Sequence, residues 1–353
     1  MKKLVSILCM LSLMFGCLIA CNSGSTTFED TLSNGSATAS TDDTTTIETT
    51  QEPESDVQIP VTLYATVEQL AEDESITRIE TVTHTELDSM DMSQLPENYV
   101  TALTGVRDRI RTYEVLYRVN DCTVAAFLSV PDDYTDCTRP LVIYNRGGNG
   151  NFGASTALEI AMMAQLTDCV VIASQYRETK PGTGTDEFGG ADVADVMFWV
   201  DRVKDMGFVD TQRVYMVGVS RGGMQTCLAL QADQNHVIKA AVCVSGVYDL
   251  AANYESREDM RDMLTRRLGG TPTTVPEAYA VRSAVNFAGK LQVPILLIHS
   301  KGDKQVDYSQ ATAFAEKLKE AEKNYEFITR ETASHGLETI DEWETIMAWL
   351  QKQ

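Results

Sequence analysis

Short apolar runs rich in Val and Ile alternate with amphipathic stretches from residue 141 onward. Five such runs occupy residues 141–144, 170–174, 214–219, 240–245 and 295–299. Apolar runs of this length are typical of strands buried on both faces, and their alternation with helical segments indicates a parallel sheet. The pattern therefore predicts an α/β fold, with a mostly parallel, twisted sheet and helices on both of its faces.

The segments between and around those runs carry further elements. Apolar residues recur at three- and four-residue spacing at Val193, Val196, Met197, Val200 and Val203. This spacing predicts a helix over residues 191–206, and similar patterns predict helices over 309–323 and 338–350. Earlier in the chain, polar and apolar residues alternate over 112–119, which predicts a half-exposed antiparallel strand.

The first twenty residues have the pattern of an export signal. Lys2 and Lys3 precede an apolar run over 4–20 that is too short to span a membrane comfortably. The run ends in Leu-Ile-Ala-Cys, which resembles the bacterial lipoprotein signal, whose cysteine is lipidated and becomes the new N-terminus. We therefore expect Cys21 to be lipidated and the chain to be exported and anchored outside the cytoplasm. Cys17 is a weaker candidate, and an ordinary signal peptide is the alternative.

Residues 22–57 are rich in Ser and Thr, contain eight acidic residues and no Lys or Arg, and offer almost nothing apolar to bury. Such a segment cannot offset the entropy lost on ordering. We interpret residues 21–57 as a disordered tether between the membrane anchor and the folded body.

Charge and cysteine content limit the possible partners. The net charge is −22, and no basic run with interleaved aromatic residues occurs, so nucleic acid is an unfavourable partner. Five cysteines follow Cys21 without CxxC spacing, which argues against a structural zinc site. Three of them fall in apolar patterns typical of buried thiols, and only Cys122 and Cys137 look able to pair. That disulfide stays open on the sequence alone.

A motif for nucleophilic catalysis occupies residues 213–224. A buried strand runs into Gly218-Val219-Ser220-Arg221-Gly222, and an apolar helix follows. This strand, G-x-S-x-G and helix sequence is the nucleophile elbow, in which the serine stands exposed on a tight turn. The turn requires residues without a Cβ two positions before and two positions after the serine, which Gly218 and Gly222 supply. We expect Ser220 to be the nucleophile and the backbone N–H of Arg221 to face developing negative charge.

A nucleophilic serine needs a base, and the chain has four histidines, His84, His236, His299 and His335. In this kind of site the chain order is Ser, acid, His, and only His299 and His335 follow Ser220 with room for an acid in between. His299 closes a buried strand, whereas His335 lies in a small-residue loop where it can reach the elbow. We therefore expect His335 to be the general base.

The acid that orients this base is expected in a loop after a buried strand. Asp303 lies in such a loop, between the run at 295–299 and the helix predicted from 309. Asp249, after the preceding strand, is the rival, and its simpler role is a helix cap. We favour Asp303.

A second oxyanion donor is expected from the Gly-rich turn after the run at 141–144. Its sequence is Asn145-Arg146-Gly147-Gly148-Asn149-Gly150, so Arg146 and Gly147 are candidates beside Arg221. The glycines could also serve only to make a tight turn. The activated serine needs no metal or organic cofactor, and none is expected.

Several of these motifs resemble the catalytic domain of the prolyl oligopeptidase family of serine peptidases. Residues 219–224 resemble the family's elbow, 186–193 the segment before it, and 245–249 the strand end after it, while 294–306 is similar to its His-Gly-x-x-Asp-x-x-Val stretch. The resemblance covers roughly residues 113–351. It implies the α/β-hydrolase fold, with Asp303 as the triad acid and His335 as its base.

The chain departs from that family in three ways. Ser300 replaces the usual glycine of the acid loop. Arg146 stands where many members have Tyr or His, which leaves the oxyanion role to the backbone of this turn. Residues 58–120 are too few for the large propeller of prolyl-cleaving members. We therefore expect a small N-terminal extension with antiparallel strands at 58–120 and a catalytic domain at 121–353.

Three functions are compatible with this organisation. The first is a serine peptidase that cleaves short peptides through an acyl-enzyme, and the second is a carboxylesterase acting on small or polysaccharide-linked esters. The third is a non-catalytic surface lipoprotein that binds a ligand. Ser220, Asp303 and His335 together favour an enzyme, while the sequence says nothing about its oligomeric state.

Overall fold

The computed structural model describes residues 63–353. Cys21, the predicted signal at 1–20 and the predicted tether at 21–57 lie outside the described residues, as do the first five residues of the predicted extension. In the described part of the chain, no helix is long and apolar enough to cross a membrane.

One sheet of nine strands organises residues 63–353, in the order β1-β2-β3-β5-β4-β6-β7-β8-β9. The strands are β1 (Ile76–Val82), β2 (Ile110–Val119), β3 (Cys122–Pro131), β4 (Arg139–Asn145), β5 (Val170–Ser174), β6 (Val209–Val219), β7 (Ala240–Val244), β8 (Ile295–Ser300) and β9 (Tyr325–Arg330). The pairs from β1 to β5 in this order are antiparallel, and every pair from β5 to β9 is parallel. The predicted mostly parallel sheet is confirmed.

Helices cover both faces of the sheet, as predicted. They are α1 (Glu97–Arg109), α2 (Ala157–Thr167), α3 (Val193–Arg202), α4 (Arg221–Ala232), α5 (Leu250–Ser256), α6 (Glu258–Leu268), α7 (Pro276–Ala280), α8 (Ser309–Glu320) and α9 (Glu342–Leu350). Side chains of β4 show the two layers. Leu141 and Ile143 join the core formed with α3, α4 and α8, whereas Val142 and Tyr144 face α2 and α9. This alternation follows from the two-residue period of a strand.

All three predicted helices are shorter than the sequence pattern indicated, and α8 ends at Glu320 instead of residue 323. The α-helix α3 ends at Arg202, and residues 203–205 tighten into a 3₁₀ turn. Helix α9 begins at Glu342 instead of residue 338, because the amides of Glu338 and Thr339 donate to the Glu342 carboxylate and form a turn ahead of the helix. Such a side-chain contact satisfies backbone donors that the first helical turn leaves free.

The N-terminal segment is built into the same sheet. The predicted antiparallel strand is confirmed as β2, which pairs with β1 on one side and with β3 on the other. It is more buried than the half-exposed strand predicted, since only Arg118 is exposed over residues 112–119. The predicted division at residues 120 and 121 falls in the two-residue turn of the β2–β3 hairpin, where Asn120 has a φ of 53°. The strands on the two sides of that division therefore share one hydrogen-bonded ladder.

The cysteines of residues 63–353 are free thiols. Cys122 begins the ten-residue strand β3, and Cys137 follows the other end of that strand. At about 3.3 Å per residue the two lie on the order of 30 Å apart, far beyond the reach of a disulfide. Cys169, Cys227 and Cys243 are buried, as the apolar patterns predicted.

Tyr117 ties the N-terminal strand β2 to the rest of the core. Its ring is fully buried, its hydroxyl donates to the carbonyl of Asp195 in α3 at 2.9 Å, and it lies 2.7 Å from the Ser174 hydroxyl of β5. Replacing it with Phe leaves two buried polar groups without this partner, a loss of about 1–3 kcal/mol.

We therefore expect Tyr117→Phe to lower the free energy of unfolding by about 1–3 kcal/mol in urea denaturation. Tyr215→Phe is the matched control, because this ring is also buried but its hydroxyl bonds no group in residues 63–353. Equal stability of the two variants would show that the Tyr117 bonds do not stabilise the core.

Candidate active site

Ser220 lies at the turn between β6 and α4. Its backbone has a φ of 60° and a ψ of −123°, a conformation that L residues rarely adopt. The turn is held by two backbone hydrogen bonds, from Ser220 N to the Val244 carbonyl and from Gly223 N to the Ser220 carbonyl, both 2.9 Å. The strained backbone and the flanking strand and helix are the geometry of a nucleophile elbow.

The two glycines of the motif are sterically required. A Cβ at Gly218 would lie 2.1 Å from the carbonyl oxygen of Gly222, and one at Gly222 would lie 1.8 Å from that of Asn145. Both distances are far below van der Waals contact. The turn therefore brings the chain after β4 directly against the elbow.

Asp303 and His335 meet in the loops that follow β8 and β9. The Nδ1 of His335 lies 2.8 Å from the Asp303 carboxylate, and both residues are buried. The same carboxylate accepts from the amides of Gln305 and Val306, at 2.8 and 3.1 Å. Burial alone would raise the pKa of Asp303, but the hydrogen bond and charge of His335, together with the two amides, lower it overall.

The rival residues have structural positions. The Nε2 of His299 donates to the carbonyl of Val306 at 3.0 Å and lies 3.5 Å from the Asp303 carboxylate. Burial lowers the pKa of His299, which favours the neutral ring. Asp249 caps α5 by accepting from the amide of Ala252 at 2.9 Å. Of the acid and base candidates, the structure joins Asp303 with His335.

Ser220 and His335 line one cavity of about 610 Å³. The hydrogen bonds of the described residues include none between these two side chains, and such bonds often tighten only when substrate binds. Gly147 and Arg146 line the same cavity. Within residues 63–353, no group of three or more His, Cys, Asp or Glu side chains could hold a metal ion.

The cavity is also lined by two glutamates that the sequence pattern did not predict. They are Glu86, from a 3₁₀ turn of the N-terminal segment, and Glu159, in the first turn of α2. The spacing Thr156-x-x-Glu159 is a capping box and could have placed a helix start next to the Gly-rich turn. No local pattern connects Glu86 to the site, because its position depends on packing across the fold.

Gly147 lies against Ser220. A Cβ at this position would be 3.1 Å from the Cβ of Ser220 and 3.6 Å from its hydroxyl oxygen. Neither the Gly147 amide nor the Arg221 amide donates a hydrogen bond to another group of residues 63–353. Two unengaged N–H groups beside a serine hydroxyl are what an oxyanion hole requires.

The side chain of Arg146 donates hydrogen bonds to backbone carbonyls of the Gly-rich turn. Its guanidinium is almost completely buried and donates to the carbonyls of Gly147, Gly150 and Gln175 and to the hydroxyl of Thr179. All three nitrogens are engaged, since Nε also donates to Gln175. Burial lowers the pKa of Arg146 to about 10, so the group stays charged at neutral pH. The Arg146 side chain therefore has no free nitrogen to donate to an oxyanion, and only the backbone of this residue could contribute.

Replacement of Gly222 tests the tight approach of the turn to the elbow. We expect Gly222→Ala to lower the free energy of unfolding by about 3 kcal/mol or more, since its methyl group would overlap the Asn145 carbonyl. In Gly289→Ala, the matched control, the nearest heavy atom lies 3.7 Å from the new Cβ, and stability should change little. Thermal and urea denaturation measure both, and a stable Gly222→Ala protein would contradict the described turn.

Comparison with known proteins identifies the family. A model of the prolyl oligopeptidase family matches residues 175–353. The uncharacterized peptidase YtmA of Bacillus subtilis is 31% identical over 226 residues, which are 64% of this chain and 86% of that protein. The acylamino-acid-releasing enzyme of Rattus norvegicus is 24% identical over 237 residues, which are 63% of this chain and 32% of that enzyme.

A solved structure supports the fold. The acylaminoacyl peptidase of Pyrococcus horikoshii superposes with a TM-score of 0.60 at 18% identity, over 72% of this chain and 43% of that one. The chain thus spans most of the Bacillus relative but less than half of the rat and Pyrococcus enzymes. On this evidence the chain belongs to the prolyl oligopeptidase family and is a serine hydrolase with the α/β-hydrolase fold.

Proposed function

We propose that this chain is a serine peptidase that cleaves short peptides through an acyl-enzyme, with Ser220 as nucleophile, His335 as general base and Asp303 orienting that base. The observation that carries the proposal is the 2.8 Å contact between His335 Nδ1 and the Asp303 carboxylate, at the edge of the cavity that contains Ser220.

The contact fixes how the imidazole can act. The ionised Asp303 can only accept, so His335 Nδ1 carries the proton and Nε2 keeps a free lone pair. Nε2 takes the proton of the Ser220 hydroxyl as its oxygen attacks the substrate carbonyl. The backbone N–H groups of Gly147 and Arg221 stabilise the oxyanion. His335 then protonates the leaving amine, and water attacks the acyl-enzyme in the same way.

The size and charge of the cavity bear on the substrate. A volume of about 610 Å³ lies in the range of pockets for small ligands, which favours short peptides over folded proteins. Glu86 and Glu159 line the cavity, while the Arg146 donors are all engaged. Burial raises the pKa of Glu159 to about 8, so this carboxyl is mostly protonated at neutral pH and the charge of the cavity does not select a free over an acylated amino group. The name of the rat relative refers to acylated amino acids. A substrate panel should therefore contain both free and acetylated peptides.

Labelling with a fluorophosphonate probe tests the nucleophile and the base. We expect the full-length wild type to be labelled, and Ser220→Ala and His335→Ala to lose labelling, because each lacks part of the activated serine. Ser309→Ala and His236→Ala are matched controls, because neither residue lines the cavity, and both should be labelled like the wild type. A folded wild type that resists the probe would contradict the proposed peptidase and favour a binding lipoprotein.

The substrate panel then separates the two enzyme hypotheses. Peptide amides, free and acetylated, and short carboxylate esters are compared by kcat/KM on the labelled protein. Turnover of esters without any cleavage of peptide amides would replace the peptidase with a carboxylesterase.

We also propose that the chain is exported and anchored to the cell membrane by a lipid on Cys21. The proposal is supported by Lys2 and Lys3, the apolar run over 4–20 and Ala20 directly before the cysteine. The acidic tether at 21–57 would hold the catalytic body away from the membrane.

Metabolic labelling with an alkyne fatty acid in a bacterial host tests the anchor. We expect label on the wild type, none on Cys21→Ser, and unchanged label on the control Cys17→Ser. Label that persists in Cys21→Ser and disappears in Cys17→Ser would move the anchor to Cys17.

A further inference from the structure

The side chain of Arg221, the residue after the nucleophile, forms a buried ion-pair cluster. Its two terminal nitrogens contact both oxygens of Asp186 at 2.6 Å, and one of them also contacts Asp192 at 2.8 Å. Both carboxylates are fully buried. A two-pronged guanidinium–carboxylate pair fixes direction as well as distance.

This cluster extends to the Gly-rich turn that carries Gly147. Arg221 donates to the carbonyl of Gly148 at 3.0 Å, and Asp186 accepts from the amide of Gly150 at 3.0 Å. One salt bridge therefore binds the turn at two points, a carbonyl and an amide. The two contacts lie one and three residues after Gly147.

Aromatic rings keep the cluster rigid and dry. The Arg221 guanidinium lies 4.7 Å from the centre of the Tyr176 ring and 4.6 Å from that of Phe188. Tyr176 also donates to the carbonyl of Arg146 at 3.1 Å. Burial raises the pKa of Asp186, but the charge and hydrogen bonds of Arg221 outweigh it and hold the pKa far below its usual range. The pair thus stays charged at any ordinary pH.

We propose that Arg221 is a positioning residue for the oxyanion hole: its main chain supplies one N–H donor, and its side chain, with Asp186, sets the position of the other donor at Gly147. The inference rests on the proposed function. Oxyanion donors must lie about 2.7–3.1 Å from the developing charge, and a displacement of about 1 Å can cost on the order of 100-fold in rate.

The chain contains a natural control for a merely structural role. Arg177 and Asp195 form a second buried pair, with contacts of 2.7 and 3.1 Å. Its side chains are 6% and 0% exposed, against 2% and 0% for Arg221 and Asp186. The Arg177 side chain donates to Asp195 but to no residue of the Gly-rich turn. Substitutions that weaken either pair should lower the free energy of unfolding by similar amounts. Only substitutions in the Arg221–Asp186 pair should affect the oxyanion hole.

The test compares Arg221→Lys with Arg177→Lys in the full-length protein. Lys keeps the charge but cannot span two carboxylate oxygens and the Gly148 carbonyl together. Fluorophosphonate inactivation is measured over a range of probe concentrations, which separates the maximal rate constant kinact from the binding constant KI. Thermal unfolding is followed in parallel.

We expect Arg221→Lys to lower kinact by about 100-fold with KI changed less than about 3-fold, and Arg177→Lys to leave both near wild type. If Arg221→Lys does not fold, Asp186→Asn replaces it, with Asp195→Asn as control and the same expected split. Equal kinact values in the wild type and the Arg221 or Asp186 variant would overturn the positioning role alone. A wild type that is not inactivated at all, with Ser220→Ala identical to it, would overturn the proposed function and this inference together.

Discussion

The backbone of Ser220, held at a φ of 60° between β6 and α4, is the constraint on which the site depends. Such a conformation costs on the order of 1–3 kcal/mol and persists only when its surroundings fix it. Here the parallel sheet does so, since the Ser220 amide donates to the neighbouring strand β7. The same turn leaves no space for a side chain at Gly222 and brings the Asn145 carbonyl within contact. The position of Ser220 thus determines where the chain must run as it leaves β4.

The chain after β4 also has backbone groups that need hydrogen-bond partners, and two buried arginines supply them. The Gly-rich turn after β4 has few side chains with which to pack, so its backbone groups need partners. Arg146 donates to two of its carbonyls, and Arg221 with Asp186 binds a third carbonyl and an amide. The ring of Tyr176 lies near both guanidinium groups. Asp186 and Asp192 both contact the Arg221 guanidinium, so the buried charge of Arg221 is paired.

The sequence predicted the backbone of this arrangement better than its side-chain partners. The apolar runs located the parallel strands, and the G-x-S-x-G motif located the elbow, because both are local patterns in the chain. The chain order of acid and base, and the position of both residues in loops after strands, identified Asp303 and His335 as the candidates. The partners of Arg221 lie 35 and 29 residues away along the chain, and Glu86 reaches the cavity from the N-terminal segment. Such contacts depend on how distant elements pack, so neither periodicity nor motif spacing could identify them. Helix α9 starts late for a similar reason, since the Glu342 side chain competes for the amides that would begin it.

The loop that carries Asp303 shows why a second histidine is buried beside the first. Asp303 accepts from the amides of Gln305 and Val306, and the Val306 carbonyl in turn accepts from His299. His299, which lies in β8, thereby holds the end of the loop in place. Its Nε2 lies 3.5 Å from the carboxylate that contacts His335 at 2.8 Å, so a protonated His299 would compete for the same negative charge. Burial lowers the pKa of His299 and favours the neutral ring. The carboxylate therefore keeps its full charge for His335, while His299 supplies rigidity to the loop without supplying a second cation.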